Sequence, residues 1–217
     1  LGFTALQALS PSSRSRPFHK EADGLLPAEG AGLVALKRVD DAVRDGDHIY
    51  GVIRGIGLSN DGRQSGFLAP AIQGQIQAMC AAYEQAGLTP QDVDFVECHA
   101  TGTSRGDSVE LDSLASVWGD GPKPVIGSLK ANIGHPITAS GVASLLKVLC
   151  SFEAETLTPT PCDDPLDAVT SNGFRVLTQA EPWPSDGPRR AAVSNFGFGG
   201  NNAHMIVEEW TGSADHL

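Results

Sequence analysis

Short apolar runs alternate with longer helical stretches along almost the whole chain, and this alternation constrains the fold more than any other feature of the sequence. Val93 to Val96 is a β-branched and aromatic run that ends in Glu97-Cys98-His99, so a strand delivers His99 to a loop at its C-terminal end. Pro124 to Leu129 reads as a second strand and Ile49 to Leu58 as a third, followed by the turn cluster Ser59-Asn60-Asp61-Gly62. Between Pro70 and Gly87, Ile72, Ile76, Met79, Cys80 and Tyr83 recur at helical spacing, with a start and a stop signal in place. Further helices are expected over Asp40–Asp45, Ser108–Trp118 and Val142–Phe152, the last apolar enough to be buried on most sides. Ala31–Leu36 reads as a short buried strand, and Arg175–Leu177, Ala191–Asn195 and His204–Glu208 complete a strand-rich end. Such a pattern predicts an α/β layered fold around a central mixed sheet, with no repeat or low-complexity linker to mark a second domain.

At 217 residues, 41 % hydrophobic and 19 % charged, the chain can bury a core of its own. A net charge of −11 with only 15 Lys and Arg argues against a nucleic-acid partner, because phosphate backbones are bound through dense cations. No apolar stretch approaches the roughly 20 residues that span a bilayer, so no membrane partner is expected and a cytoplasmic location is the default. The chain opens with Leu1 and enters directly into Phe3-Thr4-Ala5-Leu6, as a cut inside a larger protein would. Cys80, Cys98, Cys150 and Cys162 form no C-x-x-C pair, so neither a metal site nor a disulfide framework is indicated. Cys80 and Cys150 read as reduced core thiols.

Three segments set unusual side chains amid small residues. They are Glu97-Cys98-His99-Ala100-Thr101-Gly102-Thr103, followed by Gly106-Asp107; Ser128-Leu129-Lys130-Ala131-Asn132-Ile133-Gly134-His135; and Ser194-Asn195-Phe196-Gly197-Phe198-Gly199-Gly200-Asn201-Asn202-Ala203-His204. A lone loop histidine is more often structural than catalytic, but the strand-end position of His99 and the threonines beside it shift that balance. Lys130 would ordinarily be solvated, and its place between a buried strand and a polar loop argues otherwise. The Gly197–Gly200 loop could be a plain tight turn, and no Lys-Ser or Lys-Thr follows it to make a P-loop. Thr101 and Thr103 could likewise be turn threonines bonding their own backbone.

Together these segments resemble the C-terminal motifs of β-ketoacyl synthases (ketosynthases) of multidomain type I polyketide synthases. Phe18, Ala22-Asp23-Gly24 and Glu29-Gly30 resemble the stretch that precedes them, and the order is kept from near residue 14 to Glu209. The resemblance implies a thiolase-like layered fold of which this chain is the C-terminal half, with residues 1–209 in the ketosynthase domain and 210–217 starting an exit linker. It implies a transferase that joins a malonyl-type extender, carried by an acyl carrier protein, to an acyl chain held on a cysteine, by decarboxylative Claisen condensation. His99 and His135 match the histidines that hydrogen-bond the extender's thioester carbonyl, and as neutral donors they would stabilise the enolate formed as carbon dioxide leaves. Lys130 matches a lysine that orients the histidine. Phe198, flanked by Gly197 and Gly199, matches the residue that gates the acyl pocket and lends its N–H to the oxyanion hole. Thr101 and Thr103 match the contacts to the carrier's phosphopantetheine arm, and no tightly bound cofactor is implied.

The family's nucleophilic cysteine lies in a T-A-C-S-like motif that nothing here matches, and Cys98 should face away from His99, since consecutive strand residues point to opposite faces. The nucleophile is therefore expected in an N-terminal half, which joins the carrier protein and a second copy in a homodimer as expected partners. Ser144 stands nine residues past His135, where stand-alone fatty-acid synthases typically carry a glutamate. Pro136 and Asn201 stand where Thr is more usual. A basic patch of Arg14, Arg16 and Lys20 is expected to offset the chain's acidity for carrier docking. The alternatives are a catalytically silent structural half and a thiolase. The latter is disfavoured because thiolases use a second C-terminal cysteine as base and none follows Cys162.

Overall fold

The computed structural model describes residues 2–5, 7–62 and 70–213. Leu1 and Leu6 of the opening segment, and 214–217 of the expected linker, lie outside the described residues. In chain order the elements are α1 (Gly2–Ala5), α2 (Val39–Asp45), β1 (Val52–Asn60), α3 (Ile72–Ala86), β2 (Phe95–Glu97), α4 (Ser104–Trp118), β3 (Val125–Gly127), α5 (Lys130–Ile133), α6 (Ser140–Glu153), β4 (Thr156–Leu157), α7 (Asp167–Ser171), β5 (Arg175–Val176), β6 (Glu181–Pro182), β7 (Arg190–Gly197) and β8 (Asn201–Glu208).

Six strands form one mixed sheet in the order β1-β8-β7-β2-β3-β5, antiparallel from β1 to β7 and parallel from β7 to β5. β2 and β3 lie in its interior with every residue buried, which is why they read as continuous apolar runs. The two-residue period of a strand then divides the core. Phe95, Ala191, Val193 and Val207 pack against Val148 and Phe152 of α6 on one face. Val96, Ala192 and Ile206 meet Met79 and Tyr83 of α3 and Leu111, Leu114 and Trp118 of α4 on the other. Helices thus cover both faces of a central mixed sheet, as the alternation predicts.

α3 stops at Gly87 as its sequence signals. α4 begins at Ser104 rather than Ser108, because its first turn is polar and is held by Asp107, not by apolar contacts. The Asp107 carboxylate accepts the amides of Phe18 at 2.8 Å and Thr101 at 3.0 Å.

Three expectations are corrected. Ala31–Leu36 forms no strand, and Leu33 and Leu36 are 95 % and 74 % exposed, because no described strand lies beside the run to pair with it. α6 is buried on one side only, with Leu146 39 % exposed, since Leu145, Val148 and Phe152 face the sheet and Leu146 is turned away from it. Cys80 and Cys150 are exposed, whereas Cys98 and Cys162 are buried. Met79 and Tyr83 take the core face of α3, and Cys80, a sixth of a turn or more away from them, is rotated out.

Candidate active site

Two loops at the C-terminal ends of parallel strands bring His99 and His135 together. His99 follows β2, and His135 follows β3 and the single-turn helix α5. The backbone of His135 is pinned to the N-terminal segment, its amide donating to Leu26 O at 2.7 Å and its carbonyl accepting from Ala28 at 2.9 Å. The two imidazoles stand 5.5 Å apart, edge to face, with Phe196 6.0 Å from His99. Both line a cavity of about 440 Å³, whose wall also includes Thr101, Thr103, Phe196, Gly197 and Phe198. Most of the expected site residues therefore meet at one place.

Gly199 stands outside that wall, and so does Lys130. The lysine lies beneath the cavity, 1 % exposed, with its ammonium donating to Cys98 O at 3.2 Å and its own carbonyl accepting from Ser15 Oγ at 2.5 Å. Burial pushes its pKa down, against the opposing pull of the carboxylates of Glu97, Glu110 and Asp107. Burial also holds His99 well below the usual imidazole range, and it holds His135 at about 4; the Lys130 charge adds to both shifts. Each ring is accordingly neutral at pH 7. Neither Nδ1 has a hydrogen-bond partner among the described residues, so no protein acceptor fixes a proton there.

Buried carboxylates hold the His99 loop. Glu110 accepts the amides of His99 and Ala100, both at 2.8 Å, and Asp107 accepts that of Thr101. Desolvation raises Asp107 to about 6 and Glu110 to about 7. Glu97 accepts the Leu129 amide at 2.7 Å and the Lys147 ammonium at 2.6 Å. The Thr101 and Thr103 hydroxyls lie 3.3 Å from each other.

The Phe198 loop is the turn that joins β7 to β8, closed by the Gly197–Asn201 pair. Gly199 and Gly200 have φ of +83° and +76°, and a Cβ on Gly200 would lie 2.7 Å from that of Asp61, so the turn requires glycine there. Asp61 donates its amide to Gly200 O at 2.9 Å and accepts Asn202 Nδ2 at 2.6 Å, while Asn60 Nδ2 bonds Gly199 O at 3.1 Å. Held from below in this way, Phe198 is 45 % exposed and leans on Phe3 with ring centroids 5.6 Å apart.

The sequence model of the beta-ketoacyl synthase C-terminal domain matches residues 50–162, that of the ketoacyl-synthetase C-terminal extension matches 163–216, and that of the N-terminal domain matches 1–42. This chain belongs to the β-ketoacyl synthase family. It corresponds to the C-terminal segment of a type I polyketide synthase ketosynthase. A phenolphthiocerol/phthiocerol polyketide synthase polypeptide of Mycobacterium tuberculosis is 41 % identical over 215 residues, a match to 96 % of this chain and 14 % of that protein. Polyketide synthase PksL of Bacillus subtilis is 41 % identical over 216 residues, covering 93 % of this chain and 5 % of the relative. The ketosynthase from module 6 of the bacillaene synthase of Bacillus subtilis superposes with a TM-score of 0.92 at 39 % identity, over 97 % of this chain and 40 % of that one. The fold is thus the thiolase-like one of ketosynthases.

Within this ketosynthase segment no cysteine lines the cavity among the described residues, and Cys98, fully buried beside Val96 and Ile126, faces the opposite side of the sheet from Glu97. The expected basic patch is largely neutralised: Arg16 pairs with Glu21 at 2.8 Å, and Lys20 with Asp164 and Asp167 at 3.3 and 3.0 Å, leaving Arg14 exposed beside them. Sequence reasoning assigned no part to Glu110, Asp61 or Asn202, and none to the carboxylates of Glu97 and Asp107 inside the first motif. A signal for two of them was present, since Asp107, Glu110, Leu111, Leu114 and Trp118 recur at three and four residues on one face of α4. Acids set within an apolar stripe are buried acids.

Proposed function

We propose that the chain carries the decarboxylation and condensation groups of a ketosynthase, with the acyl-bearing cysteine supplied by an N-terminal ketosynthase half. The observation that carries this reading is the pair of neutral imidazoles 5.5 Å apart on the wall of one cavity. With no acceptor for a proton on Nδ1, each ring presents Nε2–H to the extender's thioester oxygen. As the bond to the carboxylate breaks, carbon dioxide leaves and its electron pair passes into the enolate, whose oxygen the two donors stabilise. The enolate carbon then attacks the acyl thioester, the new carbon–carbon bond forms, and the cysteine leaves as thiolate. Phe198 N–H faces the oxyanion of that second step, and Thr101 and Thr103 meet the phosphopantetheine arm of the acyl carrier protein. The exposed apolar residues of 31–36 support an N-terminal half as partner, since such a surface marks a contact.

Intact mass measurement after incubation with an acyl thioester tests the division of labour. An adduct is expected on the chain joined to its N-terminal half and none on the chain alone; an adduct on the chain alone would overturn it. In the joined protein, His99→Ala and His135→Ala should each leave acylation intact and slow condensation by about 10² to 10³-fold, the usual cost of one oxyanion donor.

A further inference from the structure

We propose that Glu97 is a positioning residue for the condensation, holding the His99 loop, the Lys130–His135 segment and α6 in register, and that Lys147 is the counter-ion that lets its carboxylate be buried; this rests on the reading of His99 and His135 given above. Glu97 is 0 % exposed and precedes His99 by two residues, on the α6 face of β2 with Phe95. Oε1 accepts the amide of Leu129, the residue before Lys130, at 2.7 Å, and lies 3.4 Å from Ser144 Oγ. Oε2 accepts the ammonium of Lys147 at 2.6 Å. Ser144 and Lys147 both belong to α6, which starts five residues after His135. One carboxylate therefore touches the segments that carry His99, Lys130 and His135.

The chemistry needs such a tie. Two donors must reach one developing oxyanion, and a displacement of about 1 Å in a positioned group costs on the order of 10² in rate. Lys147 completes the arrangement, only 7 % exposed in its side chain and stacked 5.1 Å from the Phe95 ring centroid. A buried carboxylate is tolerated only when it is paired and its remaining lone pairs are bonded, and here both conditions are met. A purely structural pair could be exchanged for apolar residues of similar volume without loss of fold, so fold and catalysis separate experimentally.

The test is made on the chain joined to its N-terminal half, with a malonyl-type extender on carrier protein, following acylation, kcat and KM separately. Glu97→Gln and the double change Glu97→Met with Lys147→Met should keep acylation and KM near those of the parent while kcat for condensation falls about 10²-fold. Adding Ser144→Glu to Glu97→Gln returns a carboxylate beside Lys147 and Leu129, and should recover at least ten-fold of the loss. A folded Glu97→Gln or double variant with kcat within about three-fold of the parent overturns the proposal. Should Glu97→Gln not fold, the double variant decides alone. His99→Ala and His135→Ala are run beside them: if they too keep kcat, the functional reading itself fails, whereas their loss with Glu97→Gln unaffected removes only the role of Glu97.

Discussion

In the proposed condensation His99 and His135 donate as neutral rings, and burial keeps them neutral. The same desolvation acts on His204, fully buried on β8 with Nδ1 2.9 Å from Ser194 Oγ, whose pKa falls to about 3. An unfolded histidine titrates near 6.5, so between that pH and about 3 the unfolded chain takes up a proton that the native His204 refuses. Stability from this residue is present above pH 6.5 and is lost as pH falls toward 3. Asp107 and Glu110 act in the opposite sense, holding protons in the native state up to about 6 and 7, so their share declines as pH rises through that range. Comparing the parent with His204→Gln cancels them. In urea titrations between pH 4.5 and 5.5 the variant's unfolding free energy should depend on pH less steeply by about 1.4 kcal/mol per unit. An unchanged slope would mean that His204 is protonated in the fold. At this scale His99, His135, Lys130 and Phe198 were legible because each sits in a distinctive run of small residues. The supporting acids were not, since a carboxylate that bonds backbone amides across 11 or 32 residues leaves no local pattern.

Helices and strands were legible wherever periodicity and punctuation agreed, as in α3 between Pro70 and Gly87. What the sequence did not disclose is how closely α3 approaches the sheet. Gly55 and Gly57 of β1 face it, and a Cβ on Gly57 would collide with the carbonyl oxygen of Ala78. Since the obstacle is helix backbone, it cannot be relieved by a rotamer change. Gly57→Ala should lower the unfolding free energy by about 2 to 3 kcal/mol, measured by chemical denaturation, while Gly46→Ala, with no neighbour near its Cβ, bears only the strain of its left-handed φ of +70°. A polar first turn hid the start of α4 for a related reason, as its anchor is a hydrogen bond from Phe18, 89 residues away.

At the scale of the whole molecule, the run 31–36 carries the clearest mismatch between sequence and fold. It has the composition of a buried strand, yet Leu33, Val34 and Leu36 are exposed while Gly32 backs onto Val142 of α6. A strand is made by its neighbours, and composition reports the burial a segment is built for, not which chain supplies it. Residues 1–42 match the model of the N-terminal domain, which makes that domain the expected source of the run's neighbours. Hydrogen–deuterium exchange decides the matter. In the chain alone the amides of 31–36 should exchange at nearly the rate of an open peptide, and joining the N-terminal half should slow them by about 10²-fold or more, as pairing in a sheet does. Unchanged exchange in the joined protein would separate the run from that half and leave a second copy of this chain as the partner its leucines require.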